Sequence, residues 1–107
     1  MEKAVVIHVD AQQKVALAQG NTQNLVADLP DYRVVIVVNG PAVLSFLTPA
    51  WRGFLTAHPN VEVDACANAL HANGILAAQL PTGVTVVPAG VVRIVELERQ
   101  GFAYLKP

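Results

Sequence analysis

Hydrophobic positions in this chain fall into short β-branched runs separated by longer, looser segments. Residues 3–9 read Lys-Ala-Val-Val-Ile-His-Val and residues 32–38 read Tyr-Arg-Val-Val-Ile-Val-Val. Both are strand-length runs without clean alternation of apolar and polar positions. Such runs suit a parallel sheet covered by helices on both faces. Residues 61–65 (Val-Glu-Val-Asp-Ala), 84–87 (Val-Thr-Val-Val) and 102–105 (Phe-Ala-Tyr-Leu) predict three further, weaker strands.

The segments between them carry helical periodicity. Residues 12–29 place Val15, Ala18, Leu25, Val26 and Leu29 on one broad face, with Gly20 weakening the middle. Residues 41–57 predict one or two short helices, started by Pro41 and divided near Pro49. Residues 67–73 predict a short helix stopped by Asn73-Gly74. In the last helix, residues 89–100, Val91, Val92, Ile94 and Val95 are expected to face inward and Arg93, Glu96 and Arg99 outward. The order is β-α-β-α-β-α-β-α-β. It predicts one α/β domain over residues 1–107, a three-layer doubly wound domain with a mostly parallel five-stranded sheet.

Composition narrows the function. The chain has 107 residues, 53% hydrophobic and only 14% charged, with seven Lys+Arg against eight Asp+Glu. Low charge and high hydrophobicity exclude intrinsic disorder. A formal charge of −1 supplies no basic stripe, so direct nucleic-acid binding is not expected. So few charges cover a small domain thinly, which predicts a surface buried against other copies, a homo-oligomer. The opening residues carry an acid and too short an apolar run for a signal peptide. The longest strictly apolar run, residues 34–38, falls far short of the about 18 residues of a membrane helix. The expectation is a cytoplasmic protein with no membrane partner.

In open α/β sheets, ligands sit beyond the carboxyl ends of the strands. Four turns should share that rim: Val9-Asp10-Ala11, Asn39-Gly40-Pro41, Cys66-Ala67-Asn68 and Pro88-Ala89-Gly90. Cys66 is the sharpest feature. It stands where a strand ends and a helix begins, where amides and the helix dipole favour a thiolate. A thiolate there can attack sulfane sulfur and carry it as a persulfide. Against this, Asp64 is close in sequence and no Lys or Arg lies within a dozen residues. The plainer alternative is a small buried hydrophobe. Asn39, Gly40 and Asn68 are candidate pocket groups, or ordinary turn and cap residues. Gly90 belongs to a turn that enters the last helix, and its amides could cradle an anion. Asp10 either caps the first helix or faces the rim. His8 reads as a satisfied core or interface histidine, and His58 as a solvated loop residue. Trp51 and Phe54, three apart on a helix, read as packing.

Several chemistries lack a signature. The histidines show no metal-binding spacing. There is no G-x-G-x-x-G, no G-x-x-x-x-G-K-[ST] and no G-x-S-x-G, so no cofactor is expected. One cysteine excludes an intramolecular disulfide and a C-x-x-C redox pair.

The ordered set Val5-Val6-Ile7-His8-Val9-Asp10, Val37-Val38-Asn39-Gly40-Pro41, Ala65-Cys66-Ala67-Asn68-Ala69-Leu70 and Val87-Pro88-Ala89-Gly90-Val91-Val92, with Glu98, Gly101, Phe102, Ala103 and Tyr104, resembles the DsrE/DsrF-like family of small sulfur-relay proteins, in its single-domain branch. The resemblance implies a three-layer, flavodoxin-like α/β fold and assembly into dimers, trimers or hexamers. It implies that Cys66 carries persulfide sulfur between donor and acceptor proteins, with Asn39, Gly40 and Asn68 around it. The loop at Asp64-Ala65-Cys66-Ala67 is shorter than that of many relay members. A second expectation stands beside it: a non-catalytic oligomeric module binding a small ligand or a protein, with Cys66 structural.

Overall fold

The structure, a computed structural model, describes residues 2–107. The two strongest apolar runs form its central strands, β1 (Ala4–Val9) and β2 (Arg33–Val38). Val6, Ile7, Val9 and Val35 to Val38 are fully buried, as sequences apolar on both faces require. The weaker runs form β3 (Glu62–Cys66), β4 (Val84–Val87) and β5 (Ala103–Leu105). All pairings are parallel, in the order β4-β3-β2-β1-β5.

That order follows from where each crossover goes. From β1 to β4 the chain steps steadily in one direction. Right-handed crossovers therefore place the first three connections on one face. They comprise α1 (Val15–Asp28), led by a 3-10 turn at Gln12–Lys14, then 3-10 turns at Gly40–Leu47 and Pro49–Trp51 running into α2 (Arg52–Ala57), then α3 (Ala67–Ala72). The fourth connection, α4 (Gly90–Arg99), returns from the β4 edge to the far edge across the opposite face. The expected three-layer domain on a five-stranded parallel sheet is what the chain forms. Its strand order is not the 2-1-3-4-5 of flavodoxin itself, because four strands are laid down in sequence before the chain reverses.

The two outer layers are unequal. On the first face, Val15 and Ala18 from α1, Ala42, Val43 and Phe46, Trp51 and Phe54, and Ala69 and Leu70 from α3 pack on the sheet. Trp51 is fully buried, donates from Nε1 to Ser45 Oγ at 2.8 Å and meets Phe54 edge-on. Thr22 is tolerated inside α1 because its hydroxyl donates to Ala18 O at 2.8 Å. Leu29, expected on the inner face, lies past the end of α1 and is exposed.

On the second face, Ile94 and Leu97 of α4, with Phe102, cover Ala4, Val6, Val35 and Val37. Here the expected facing is corrected. Gly90, Ile94 and Leu97 point inward, at spacings of four and three. Val91, Val92 and Val95 are 60%, 55% and 57% exposed. Arg93, expected outward, reaches Glu62 and Asp64 on β3. The buried carboxyl of Asp64 needs a donor from the element above it, and pointing Arg93 at the sheet turns the valines to the surface.

Candidate functional site

The rim has a topological break between β3 and β4. The connection after β3 leaves toward the α1–α3 face, and the one after β4 leaves toward the α4 face. Connections that part to opposite faces open a crevice, the usual ligand position in open α/β sheets. Cys66 pairs in register with Val87 across it.

Cys66 ends β3 and is the N-cap residue of α3, and its side chain makes no cap hydrogen bond. It is 7% exposed. Gly90 opens α4 directly against it. A Cβ on Gly90 would lie 3.0 Å from Asn39 Cβ, 3.2 Å from Val37 Cγ1 and 3.4 Å from Cys66 Cβ. Only glycine admits this approach, which brings the first turn of α4, capped by no side chain, onto the ends of β2 and β3. Of the residues picked from sequence, Cys66, Asn39 and Gly90 therefore meet at one point.

The others do not join them. Asp10 does not cap the first helix: the turn there has no side-chain cap, and Asp10 pairs with Lys106 Nζ at 2.9 Å. That hydrogen bond holds its carboxyl below the usual range. The pull comes from Lys106, which β5 delivers beside β1. Asn68 is exposed on α3 and does not cap it, because Cys66 already occupies the cap position. Gly40 starts the 3-10 turn after β2 with φ +54°, a conformation that favours glycine, and a Cβ there would touch Asp10 O at 3.4 Å.

Two polar residues stand beside Asn39. The His8 ring is half-buried, with Nε2 2.9 Å from Asn39 Oδ1 and Nδ1 2.6 Å from Tyr104 Oη. A carbonyl oxygen only accepts, so Nε2–H donates to Asn39. In the neutral ring Nδ1 then accepts from the Tyr104 hydroxyl. His8 is satisfied, as its strand position suggested, yet its partners are rim groups. Tyr104 carried no sequence signal for this role, because only the pairing of β5 with β1, Tyr104 opposite Val6, brings it there.

Beneath the rim on the same face lies a charge cluster. Asp64 is fully buried, and Arg93 Nε donates to its Oδ2 at 3.0 Å. Arg93 Nη2 donates to Glu62 at 2.9 Å, and Arg33 stands 3.6 Å from Glu62. As a carboxylate, Asp64 leaves Oδ1 without a donor. Burial, aided by the neighbouring Glu62 carboxylate, pushes the Asp64 carboxyl up to about 7 against the pull of Arg93. Burial also raises Glu62, but hydrogen bonds from Asp64 and Arg93 outweigh it and hold Glu62 below the usual carboxylate range. Asp64 is thus the member of the pair that takes up a proton first, and it is half protonated near pH 7.

A cavity of about 360 Å³ lies at the β4 side of the crevice, lined by Val87, Pro88, Ala89, Val92, Arg93 and Glu96. A second, of about 170 Å³, lies at the opposite end of the strands around Tyr32, His58 and Val61. His58 is not free in solvent there: it is half-buried and packs against Phe54 as a tilted ring pair, centroids 4.8 Å apart. Among the described residues no cluster of three His, Cys, Asp or Glu could hold a metal ion, and no helix is long and apolar enough to cross a membrane.

Among solved structures the chain is similar to MTH1491 from Methanobacterium thermoautotrophicum, a protein of unknown function. The TM-score is 0.88 and the identity 33%, over 97% of this chain and 98% of that one. It is also similar to the ychN protein from E. coli, at TM-score 0.78 and 17% identity over the whole of both chains. The second likeness is one of fold. No family model matches the sequence, and no curated protein does.

Proposed function

The chain belongs to the same family as MTH1491, and from that premise we propose that it is an intracellular sulfur carrier of the DsrE/DsrF kind, with Cys66 accepting sulfane sulfur. The observation that carries this reading is the place of the thiol. Cys66 ends β3 where the connections after β3 and β4 part, beside the first turns of α3 and α4. The backbone N–H groups of a first helical turn have no partner within the helix and are donors that a bound sulfur group can accept from. The Cys66 thiolate attacks the outer sulfur of a donor persulfide, R–S–SH. A new S–S bond forms on Cys66, the donor's S–S bond breaks, and R–S⁻ leaves with the electron pair. The exchange is redox-neutral. The test is non-reducing intact-mass measurement after treatment with glutathione persulfide. Wild type gains one sulfur atom and Cys66→Ser gains none. Absence of the increment in wild type overturns the proposal.

A second reading is favoured by the 7% exposure of Cys66: a non-catalytic module that binds a small ligand or protein at the crevice, with Cys66 as packing. It expects alkylation of Cys66 only on unfolding. The carrier reading expects alkylation of the native protein.

A further inference from the structure

Glu62 and Asp64 stand two apart on β3 and both turn to the sheet face that α4 covers, where Arg93 bridges them. Arg93 Nε donates to Asp64 Oδ2 at 3.0 Å, and Nη2 donates to Glu62 at 2.9 Å. The Asp64 side chain is fully buried, and its Oδ1 has no hydrogen-bond partner among the described residues. Its neighbours across the sheet, Val37 on β2 and Thr85 on β4, bring no charge. The charged and titratable groups around it are Glu62 and Cys66 on β3, Arg33 on β2, Arg93 and Glu96 on α4 and, further off, His8 on β1.

An orphaned carboxylate oxygen in a buried site is costly. Two events remove the cost. A proton on Oδ1 neutralises the group and donates to the Glu62 carboxylate beside it. Otherwise the cover lifts and water reaches the oxygen. The cover is the first turn of α4, Gly90 to Arg93. No side chain caps it, and the other inward residues of the helix, Ile94 and Leu97, lie further along. The same turn closes over the rim, since Gly90 stands against Cys66 and Asn39.

We infer that the Asp64–Glu62–Arg93 cluster is a proton-operated latch on the first turn of α4, closed while Asp64 is protonated and loosened when it ionises, and that the latch sets access to Cys66. The direction follows from where the proton is lost. The buried carboxyl titrates at about 7, and once wetted it returns toward its ordinary 3.8. The open population therefore rises about tenfold per pH unit between these two values and levels off above the upper one. Access to the thiol is a property of the fold, whatever Cys66 carries. On the carrier reading proposed above, opening admits the donor, and redocking brings the α4 amides back to the sulfur.

The test compares wild type with Asp64→Asn. The asparagine keeps an acceptor for Arg93, offers an NH2 toward Glu62 and cannot ionise, so it holds the latch closed at every pH. Every other titratable group is common to both proteins and cancels. Amide hydrogen exchange is followed from about pH 5 to about pH 8 and expressed as protection relative to the unfolded chain, which removes the intrinsic pH dependence. In wild type the amides of Arg93 to Glu96 should be less protected than the central residues of β1 and β2, and should lose about a hundredfold in protection across that range. Asp64→Asn should show no such loss. Cys66 is then labelled with dithiodipyridine at about pH 7.5, where Asp64→Asn should react about tenfold more slowly than wild type. Charge alone predicts the opposite, because removing a carboxylate near a thiol favours the thiolate. Wild-type α4 protection that does not change with pH, or that matches the limit set by β1 and β2, overturns the latch. Labelling of Asp64→Asn as fast as wild type, or faster, overturns its control of Cys66. A wild type that shows both effects but never gains sulfur overturns the carrier function and leaves the latch intact.

Discussion

At Gly90, helix stability and site geometry pull in opposite directions. A glycine opening a ten-residue helix costs about 1 kcal/mol relative to alanine. Alanine there would set its methyl 3.0 Å from Asn39 Cβ and 3.2 Å from Val37 Cγ1. Those are stiff, packed atoms, so the overpacking term wins. Gly90→Ala is expected to lose about 1–3 kcal/mol, read as a lower urea midpoint, and to slow persulfide loading of Cys66. Gly20 is the control. It lies within α1 with nothing within 4 Å of its missing Cβ, and Gly20→Ala is expected to gain about 0.5–1 kcal/mol. A Gly90→Ala protein as stable as Gly20→Ala would show that α4 does not need its close approach. The rim residues of this site were legible in the chain because strand ends follow from hydrophobic runs. Cys66, Asn39 and Gly90 each directly follow or close a strand, or open a helix. The partnership of His8 with Tyr104 was not legible, since it depends on a strand pairing between residues 96 positions apart.

The five strands and four α-helical segments of the chain could be placed from its runs of β-branched residues and its turn residues, to within a few positions. The facing of α4 could not. Its valines outweigh its inward residues in hydrophobicity, and what decides the rotation is a group on another element, Asp64. The pH dependence of stability follows from the same contact. The folded Asp64 carboxyl titrates at about 7, above its ordinary 3.8. A carboxyl raised by folding contributes fully below its unfolded value, and the contribution is lost as pH rises through the folded one. Asp64→Asn keeps an acceptor for Arg93 and has no charge to bury. Its stability relative to wild type should therefore improve by about 2–4 kcal/mol between about pH 4 and about pH 8. Urea titrations of both proteins across that range check it. Parallel curves would mean that Asp64 stays ionised in the folded protein. Leu97 fixes the same helix by packing. It is fully buried on the thin layer, and Leu97→Ala should cost about 2–5 kcal/mol, with most of the loss appearing as detachment of α4 in hydrogen exchange.

The whole molecule presents an imbalance that one chain does not resolve. One face of the sheet carries three helical connections and the larger core. The other carries α4 alone, over a face that also holds His8, Asp64, Glu62 and Tyr104. The outer side of that lone helix is a strip of Val91, Val92 and Val95, each more than half exposed. Only 14% of the residues are charged. Clustered exposed valines on a thinly charged surface are better covered than wetted. We propose that a second copy of this chain covers them, with the α4 strips meeting across a two-fold axis, since a patch that matches itself closes without leaving an open end. Val92→Glu places a charge in the middle of the strip, on a side chain that is more than half exposed. It should convert the assembly to monomers in light scattering while leaving the circular dichroism spectrum unchanged, because burying two unpaired carboxylates across a two-fold axis costs more than the valines gain. A wild-type protein that runs as a monomer would remove the interface. A Val92→Glu protein that stays assembled would place the contact elsewhere, leaving the β4 edge and its cavity at Val87 and Pro88 as the surface that binds.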